Sequence, residues 1–452
     1  MSIKKNASSN DSLLNRRGFL QGTAIAGAGL FATRFARGQE KQAAPAVSAS
    51  SKVNVAAIGV GGKGWSGIKG LQGAGANIVA ICDTDQTFID KGHVEWPEAK
   101  TYFDFREMLE KQKDIDAVIV STPDHTHAVA AMMAMKLGKH CYCEKPLTHD
   151  IWEARQLTEA AKQYKVATQM GNQGHAGEFN RRQVEWVQSG MIGKVKEVHV
   201  WTDRPGKFWV QGMKDRPAPA PTPETVKWDL WLGTAPERPY APGYHPMGWR
   251  GFWDFGTGAL GDMGCHIIDP AYWALNLRDP IAVEAQSEGA TEEAGPTKSV
   301  VRYEFAEREG RAPLSMTWYE GGVPDAKLVN GYFLPPDRNG TIFVGEKGTI
   351  LAGYQTVPAL IDTKGKLEVV IPEPSIPRSP GHHEEFIEAC RGGAPAGSNF
   401  DYSGPLTETV LLGNLAIRAG KKLEWDAKNM KVTNDEGANK WVKREYRAGW
   451  SL

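Results

Sequence analysis

The sequence predicts an α/β protein of two domains: a Rossmann dinucleotide-binding domain, followed by an α/β domain with a large, mainly antiparallel open sheet. Three observations lead there. From Val53 to Met170 short apolar runs alternate with amphipathic stretches, the pattern of a parallel sheet covered by helices. A glycine-rich turn at 59–64 directly follows the first of those runs. Beyond residue 195, strand-like runs succeed one another without a helix between each, as in a sheet built from antiparallel neighbours with one free face. At 452 residues the chain is also too long for one ordinary domain.

Residues 1–38 stand apart from the folded body. A polar start leads to Arg16 and Arg17 with Phe19 and Leu20 behind them, then a weakly apolar run at 22–33, then Ala36-Arg37-Gly38. The run is too short to span a bilayer, and the paired arginines resemble a twin-arginine export signal with a small-x-small cleavage site. This predicts a periplasmic or otherwise exported protein. Residues 39–50, mostly Ala, Ser and Gln with single Glu, Lys, Pro and Val residues, read as a flexible leader. The domains then divide as 51–171 for the nucleotide and 172–452 for substrate and oligomerisation.

In the first domain, the runs at 53–58, 77–82, 117–121, 140–143 and 166–170 are rich enough in Val, Ile, Ala and Cys for buried parallel strands. Helical spacing appears between them at 65–72, 88–94, 106–111, 128–137 and 150–164. In the second domain, strands are expected at 195–202, 283–286, 300–305, 314–319, 340–344 and 349–352. The proline-rich stretch 203–227 reads as a surface loop, and 406–421 as a helix packing back on the body.

Composition narrows the function. Hydrophobic residues at 41% and charged residues at 23% fit a soluble globular protein. The formal net charge is zero, and no basic stripe with interleaved aromatics occurs, which excludes nucleic acid as a natural partner. Residues 1–38 hold six Lys/Arg and one Asp, so the remainder has 47 basic and 52 acidic residues and no attraction to an anionic membrane. The five cysteines, an odd count without paired spacings, read as packing residues rather than disulfides or metal ligands. No cluster has convincing metal spacing, and His382-His383 beside Glu384-Glu385 reads as a solvated helix start.

Three stretches match G-x-G-x-x-G, at 59–64, 62–67 and 256–261. Only the first lies between a strand-like run and a helix, with Asp83 nineteen residues beyond its last glycine. Gly59, Gly61, Gly62 and Gly64 would let the backbone approach a pyrophosphate at the helix N-terminus. Asp83, ending the second strand, would accept from the adenosine ribose hydroxyls and repel a ribose phosphate, so the cofactor is NAD rather than NADP.

The chemistry gathers around Cys-Glu-Lys-Pro at 143–146 and Gly-Asp-Met-Gly-Cys-His at 261–266. Oxidising an alcohol requires a base for the hydroxyl proton while hydride leaves carbon. His266 has a suitable pKa, Asp262 lies one helical turn before it, and Lys145 can hold a developing alkoxide. Glu144 would orient the lysine or the cofactor ribose. Thr122 and Pro123 follow the strand ending at Ser121, where a doubly wound sheet places its ligand; His125 and His127 come just after.

Taken in order, Gly-Val-Gly-Gly-Lys-Gly at 59–64, Ala-Ile-Cys-Asp at 80–83, Ser-Thr-Pro-Asp-His-Thr-His at 121–127, Glu-Lys-Pro and Asp-x-x-x-His resemble the Gfo/Idh/MocA family (glucose–fructose oxidoreductase / inositol dehydrogenase), over roughly 52–425. The resemblance implies a Rossmann domain, an open sheet often used for oligomerisation as a dimer or tetramer, and Lys145, Asp262 and His266 around nicotinamide and substrate. It also implies that Asn172, Gln173 and His175 contact sugar hydroxyls. Seven of fifteen tryptophans fall between Trp201 and Trp273, which suits a carbohydrate cleft or, equally, a Trp-rich core. The expected function is NAD-dependent hydride transfer at a hydroxyl carbon of a sugar, sugar derivative or cyclitol. An exported enzyme lacks a free NAD pool, so the cofactor should be held tightly. A redox-neutral glycosidase, working by oxidation, elimination and hydration, needs the same residues.

Overall fold

The structure is a computed structural model that describes residues 52–329, 331, 334, 338–362, 367–368 and 371–452. The expected export signal (1–38) and leader (39–50) lie outside the described residues.

Six parallel strands form the first sheet: β1 (Asn54–Ile58), β2 (Asn77–Cys82), β3 (Lys100–Tyr102), β4 (Ala117–Val120), β5 (His140–Glu144) and β6 (Thr168–Gly171), in the order 3-2-1-4-5-6. The strand order reverses between β1 and β4, and a crevice opens beyond their carboxyl ends. Five helices connect the strands: α1 (Lys63–Gly73), α2 (Gln86–Glu95), α3 (Phe105–Lys111), α4 (Asp124–Lys136) and α5 (Ile151–Tyr164). The starts of α2, α3 and α5 are chemically marked. Asp85 and Asp104 each accept a main-chain N–H of the first turn of α2 and α3. At α5, Asp150 and Glu153 close a reciprocal capping box. β3 was absent from the sequence expectation because three residues, two of them exposed, carry no periodic signal.

Beyond β6 come α6 (Glu178–Gln188), β7 (Val195–Thr202), α7 (Trp228–Leu232), α8 (Gly258–Ile267) and α9 (Asp269–Ala274). Then follow β8 (Ala282–Glu288), β9 (Lys298–Phe305), β10 (Leu314–Glu320), β11 (Gly340–Gly345), β12 (Gly348–Gly353), β13 (Ala359–Asp362) and β14 (Leu367–Glu368). α10 (His382–Cys390), α11 (Phe400–Ala419), β15 (Leu423–Asp426) and β16 (Lys431–Val432) complete the chain. Among the described residues the second sheet has ten strands, in the order 14-13-12-11-7-10-9-8-15-16. Every described pairing is antiparallel except β7 with β10, which are parallel. β10 alternates buried and half-exposed residues along its length, as a strand with one covered face must.

The central helix is α11. It begins six residues earlier than its hydrophobic run, capped by Asn399, and stops at Gly420, which takes φ +65°. It packs on α5 and α8 and lies under β8 and β9. Glycines permit the α8 contact: a Cβ on Gly264 would stand 3.0 Å from Val410, and one on Gly413 2.4 Å from Leu260. Glycine costs about 1 kcal/mol per helical position relative to alanine, and close packing of two buried helices offsets it. α10 folds back onto the first sheet, where Phe386, Ile387 and Cys390 join the cluster around Val55, Ile68 and Ile119. The expectation of a solvated helix start is therefore corrected. His382 is buried, with its ring against Met170 O at 2.9 Å, because α10 covers the parallel sheet rather than facing solvent.

Candidate active site

The carboxyl end of the parallel sheet opens into a cavity of about 590 Å³, closed on its other side by residues of 203–250 and by α8. Gly59 leaves β1 at φ +88°, and a Cβ there would meet Ser121 O at 2.6 Å. A Cβ on Gly64 would stand 2.2 Å from Gly59 O, and one on Gly61 2.8 Å from the Phe88 ring. The turn is thus compact only with glycine, and Gly62 at φ +52° caps α1 without a side chain. Gly59, Gly61 and Gly62 line the cavity; Gly64 is buried behind them.

Asp83 extends from β2 beneath the turn, accepting the Val60 N–H at 2.7 Å and the Asp85 N–H at 3.0 Å. Burial raises its pKa, and those main-chain donors hold part of the rise back. Further along the cavity lie Thr122, Pro123, Glu144 and Lys145. Gln173 donates to Glu144 Oε1 at 3.1 Å, while Glu144 Oε2 and the Ser121 hydroxyl are buried without a partner. A glycine cradle, a carboxylate ending β2 and orphaned acceptors along one crevice fit a dinucleotide: Gly59–Gly62 would hold its pyrophosphate, Asp83 its adenosine ribose and Glu144 its second ribose.

At the far end α8 presents Asp262 and His266 on one face. Lys145 donates to Asp262 Oδ1 at 2.6 Å and to the Asp262 main-chain O at 3.0 Å. Arg250 approaches the same carboxylate at 3.3 Å and is anchored to buried Asp124 at 3.0 Å. Burial alone would raise the Asp262 pKa, but Lys145 and Arg250 outweigh it and hold the carboxyl well below the usual range. His266 responds oppositely. Burial, reinforced by the Lys145 charge, pushes its imidazole down to about 3, so it is neutral at ordinary pH. Its Nδ1 is buried without a partner.

The structure therefore brings together Gly59, Gly61, Gly62, Asp83, Thr122, Pro123, Glu144, Lys145, Gln173, Asp262 and His266 on one cavity. Two expected substrate contacts lie elsewhere. Asn172 is fully buried, accepting from Ser398 at 2.5 Å and donating to Cys265 O at 3.4 Å. His175 is held by Asp269 at 3.0 Å and stacks on Trp273 at 4.4 Å. Both tie the end of β6 to the second domain, and neither lines the cavity. Neither could be separated from Gln173 by sequence position, since the chain turns tightly at 173–176 in a 3-10 helix, where residues three apart such as Asn172 and His175 share a face. His125 is wholly buried against Trp231 O and Phe255 O, whereas His127 reaches the cavity with its ring between Pro146 O and Thr122 O.

Arg204, Phe208, Arg250 and Tyr354 also line the cavity and were not foreseen. No sequence pattern marked Arg204 or Arg250; the partners of Arg250 lie on α4 and α8. The tryptophan run divides: Trp209, Trp231 and Trp249 line the cavity, while Trp201 belongs to the sheet core and Trp273 to the His175 stack. Among the described residues no group of three or more His, Cys, Asp or Glu is arranged to hold a metal, and no helix is long and apolar enough to cross a membrane.

Among known proteins, a glycosyl hydrolase family 109 protein of Shewanella putrefaciens is 32% identical over 153 residues, 32% of this chain and 33% of its own. An alpha-N-acetylgalactosaminidase of Shewanella oneidensis is 28% identical over 204 residues, 40% of this chain and 44% of its own. The chain thus matches less than half the length of these relatives. The WlbA dehydrogenase from Bordetella pertussis, solved with NADH and UDP-GlcNAcA, superposes with a TM-score of 0.59 at 17% identity, covering 83% of this chain and 99% of that one. GenD2 from gentamicin A biosynthesis, solved with NAD, gives 0.58 at 19% identity, covering 86% of this chain and all of that one. These likenesses show the fold. Residues 53–172 match the NAD-binding Rossmann fold of the GFO_IDH_MocA oxidoreductase family and residues 180–312 its C-terminal alpha/beta domain. With both domains matched in order around one nucleotide crevice, the chain belongs to the Gfo/Idh/MocA family of NAD-binding oxidoreductases.

Proposed function

We propose that this protein transfers hydride between a bound nicotinamide and a hydroxyl-bearing carbon of a sugar, sugar derivative or cyclitol, with the cofactor tightly held. The observation that carries the reading is the neutral, buried His266 beside the Lys145–Asp262 pair at the end of a nucleotide crevice. NAD, when bound, supplies the hydride acceptor. His266 takes the hydroxyl proton, for which an unprotonated imidazole is required. Lys145 stabilises the alkoxide oxygen with its ammonium group, and Asp262 fixes that ammonium by a charge-assisted hydrogen bond. Trp209, Trp231 and Trp249 shield the site and offer apolar faces to a sugar ring.

A second reading, the redox-neutral glycosidase, is favoured by the names of the curated relatives. In it a ring hydroxyl is oxidised, the aglycone leaves by elimination, water adds and the hydride returns, with the same His266 and Lys145 moving the protons. Export through the twin-arginine route and assembly as a dimer or tetramer through the open sheet belong to the same proposal.

The test begins with the chain from Gln39, purified without added nucleotide, denatured, and assayed for released NAD(H). Near-stoichiometric release supports a closed cycle on a resident cofactor; empty protein that binds NAD weakly sinks that part of the reading. Aryl glycosides then separate the two chemistries. Phenol release without net NADH identifies the glycosidase, and net nicotinamide reduction by a sugar identifies the dehydrogenase.

A further inference from the structure

Among the described residues, the reacting end of the cavity carries one more cation than its carboxylates match. Lys145 is paired with Asp262 at 2.6 Å, Arg250 with Asp124 at 3.0 Å, and Lys63 faces Glu144 at 3.8 Å. Arg204 is left over. Its Nε stands 3.7 Å from Asp262 Oδ2 and makes no hydrogen bond. Its guanidinium lies 4.3 Å over the Phe208 ring, and the neighbouring Asp203 is taken by Lys207 at 2.6 Å. With a side chain only 22% exposed, Arg204 holds a largely desolvated charge on the cavity wall. Such a charge is costly unless something of opposite sign arrives.

Geometry ties this cation to the reacting group. Lys145 and Arg204 approach opposite oxygens of the same Asp262 carboxylate, so a hydroxyl at Lys145 and an anion at Arg204 fall within one sugar residue. A single planar guanidinium matches a monoanionic carboxylate through two parallel hydrogen bonds. A phosphate dianion would need a second unmatched cation, and the nearby Lys145 and Arg250 are already engaged.

We propose that Arg204 forms a carboxylate subsite and that the substrate is an acidic sugar, a uronic acid or its glycoside, oxidised at a ring hydroxyl; this rests on the hydride-transfer reading above. The test is calorimetric titration of the full chain, saturated with NAD, with D-glucuronate and D-galacturonate against D-glucose, D-galactose and their 6-phosphates. A uronate should bind at least about tenfold more tightly than its parent hexose and weaken by about 10- to 100-fold in Arg204→Met. Arg204→Lys should recover part of that loss, and NAD affinity should be unchanged in both variants. The subsite is overturned if the hexose binds as tightly as the uronate, if the 6-phosphate is preferred, if no uronate binds, or if Arg204→Met weakens all ligands alike. Nicotinamide absorbance is followed in parallel. Arg204-dependent uronate binding without hydride transfer keeps the subsite and removes the oxidoreductase reading, whereas hexose oxidation without uronate binding does the reverse.

Discussion

Asp262→Asn tests the electrostatics of the site at nearly constant shape. The carboxylate has three cations within 4 Å: Lys145 at 2.6 Å, Arg250 at 3.3 Å and Arg204 at 3.7 Å. Replacing it with an amide leaves Lys145, whose side chain is only 11% exposed, without its counter-charge. Breaking one side of such a buried pair costs about 3 kcal/mol. Arg250 retains Asp124, so the fold around α4 and α8 should persist. Denaturant unfolding of the variant should show that loss, and Lys145→Met combined with Asp262→Asn should regain most of it, because the second change removes the stranded charge. Turnover should fall as well. A charge-assisted hydrogen bond is worth about 1.5–3 kcal/mol, or about 10- to 150-fold in kcat/KM if Asp262 acts by fixing Lys145. NAD affinity should stay within about threefold, since the nucleotide turn is untouched. An Asn variant as stable as the parent, or a double variant less stable than the single, would refute the reasoning.

Gly59→Ala should destabilise the chain by about 2 kcal/mol and weaken NAD binding at least tenfold, because its Cβ would meet the Ser121 main chain at 2.6 Å from a φ of +88°; fluorescence titration checks it. Arg155→Leu strands Glu408, which is 6% exposed and held by two bonds of 2.8 and 2.7 Å, and should cost about 3 kcal/mol in urea unfolding. Burial lowers the His125 pKa from 6.5 to about 3. Below pH 6.5 the unfolded chain therefore takes up a proton that the folded chain refuses, and stability present above that pH is lost on acidification. His125 should account for about 2 kcal/mol of the loss between pH 8 and pH 5, read as the difference in pH dependence between the parent and His125→Gln.

What was legible in the sequence depended on how local its cause was. Five of the six parallel strands were visible because burial writes continuous apolar runs, and the nucleotide turn because its glycines follow such a run directly. Lys145, Asp262 and His266 were legible as a set from their order and spacing, though an isolated Lys-Pro or Asp-x-x-x-His carries little. Gln173 and His175 look alike on paper; only the fold reveals that Asp269 on α9 captures the histidine while Gln173 turns toward Glu144. Arg204 and Arg250 are defined by partners far away in sequence, so no pattern marks them. α10 was misjudged for the same reason: the sequence shows two histidines and two glutamates, but not the Tyr142 ring on which His383 stacks at 5.7 Å.

The perturbed groups also divide the roles within the proposed reaction. Asp262 and His266 sit one turn apart on the same helix, yet their surroundings push them in opposite chemical directions. The cations that crowd Asp262 keep it ionised and make it a poor proton acceptor, so it serves as a fixed negative charge. Burial, reinforced by the Lys145 charge, keeps His266 unprotonated. A base that has lost most of its basicity would be a weak catalyst if the hydroxyl proton kept its solution acidity. The site compensates on the substrate side: Lys145 beside the hydroxyl stabilises the anion left behind, so a weak base suffices to accept the proton. Oxidation to a ketone and elimination next to that ketone both need this combination of one cation for the oxygen and one neutral base for the proton. The residues around Asp262 are therefore common to the dehydrogenase and glycosidase readings, and the choice between them falls to the groups that hold the rest of the sugar.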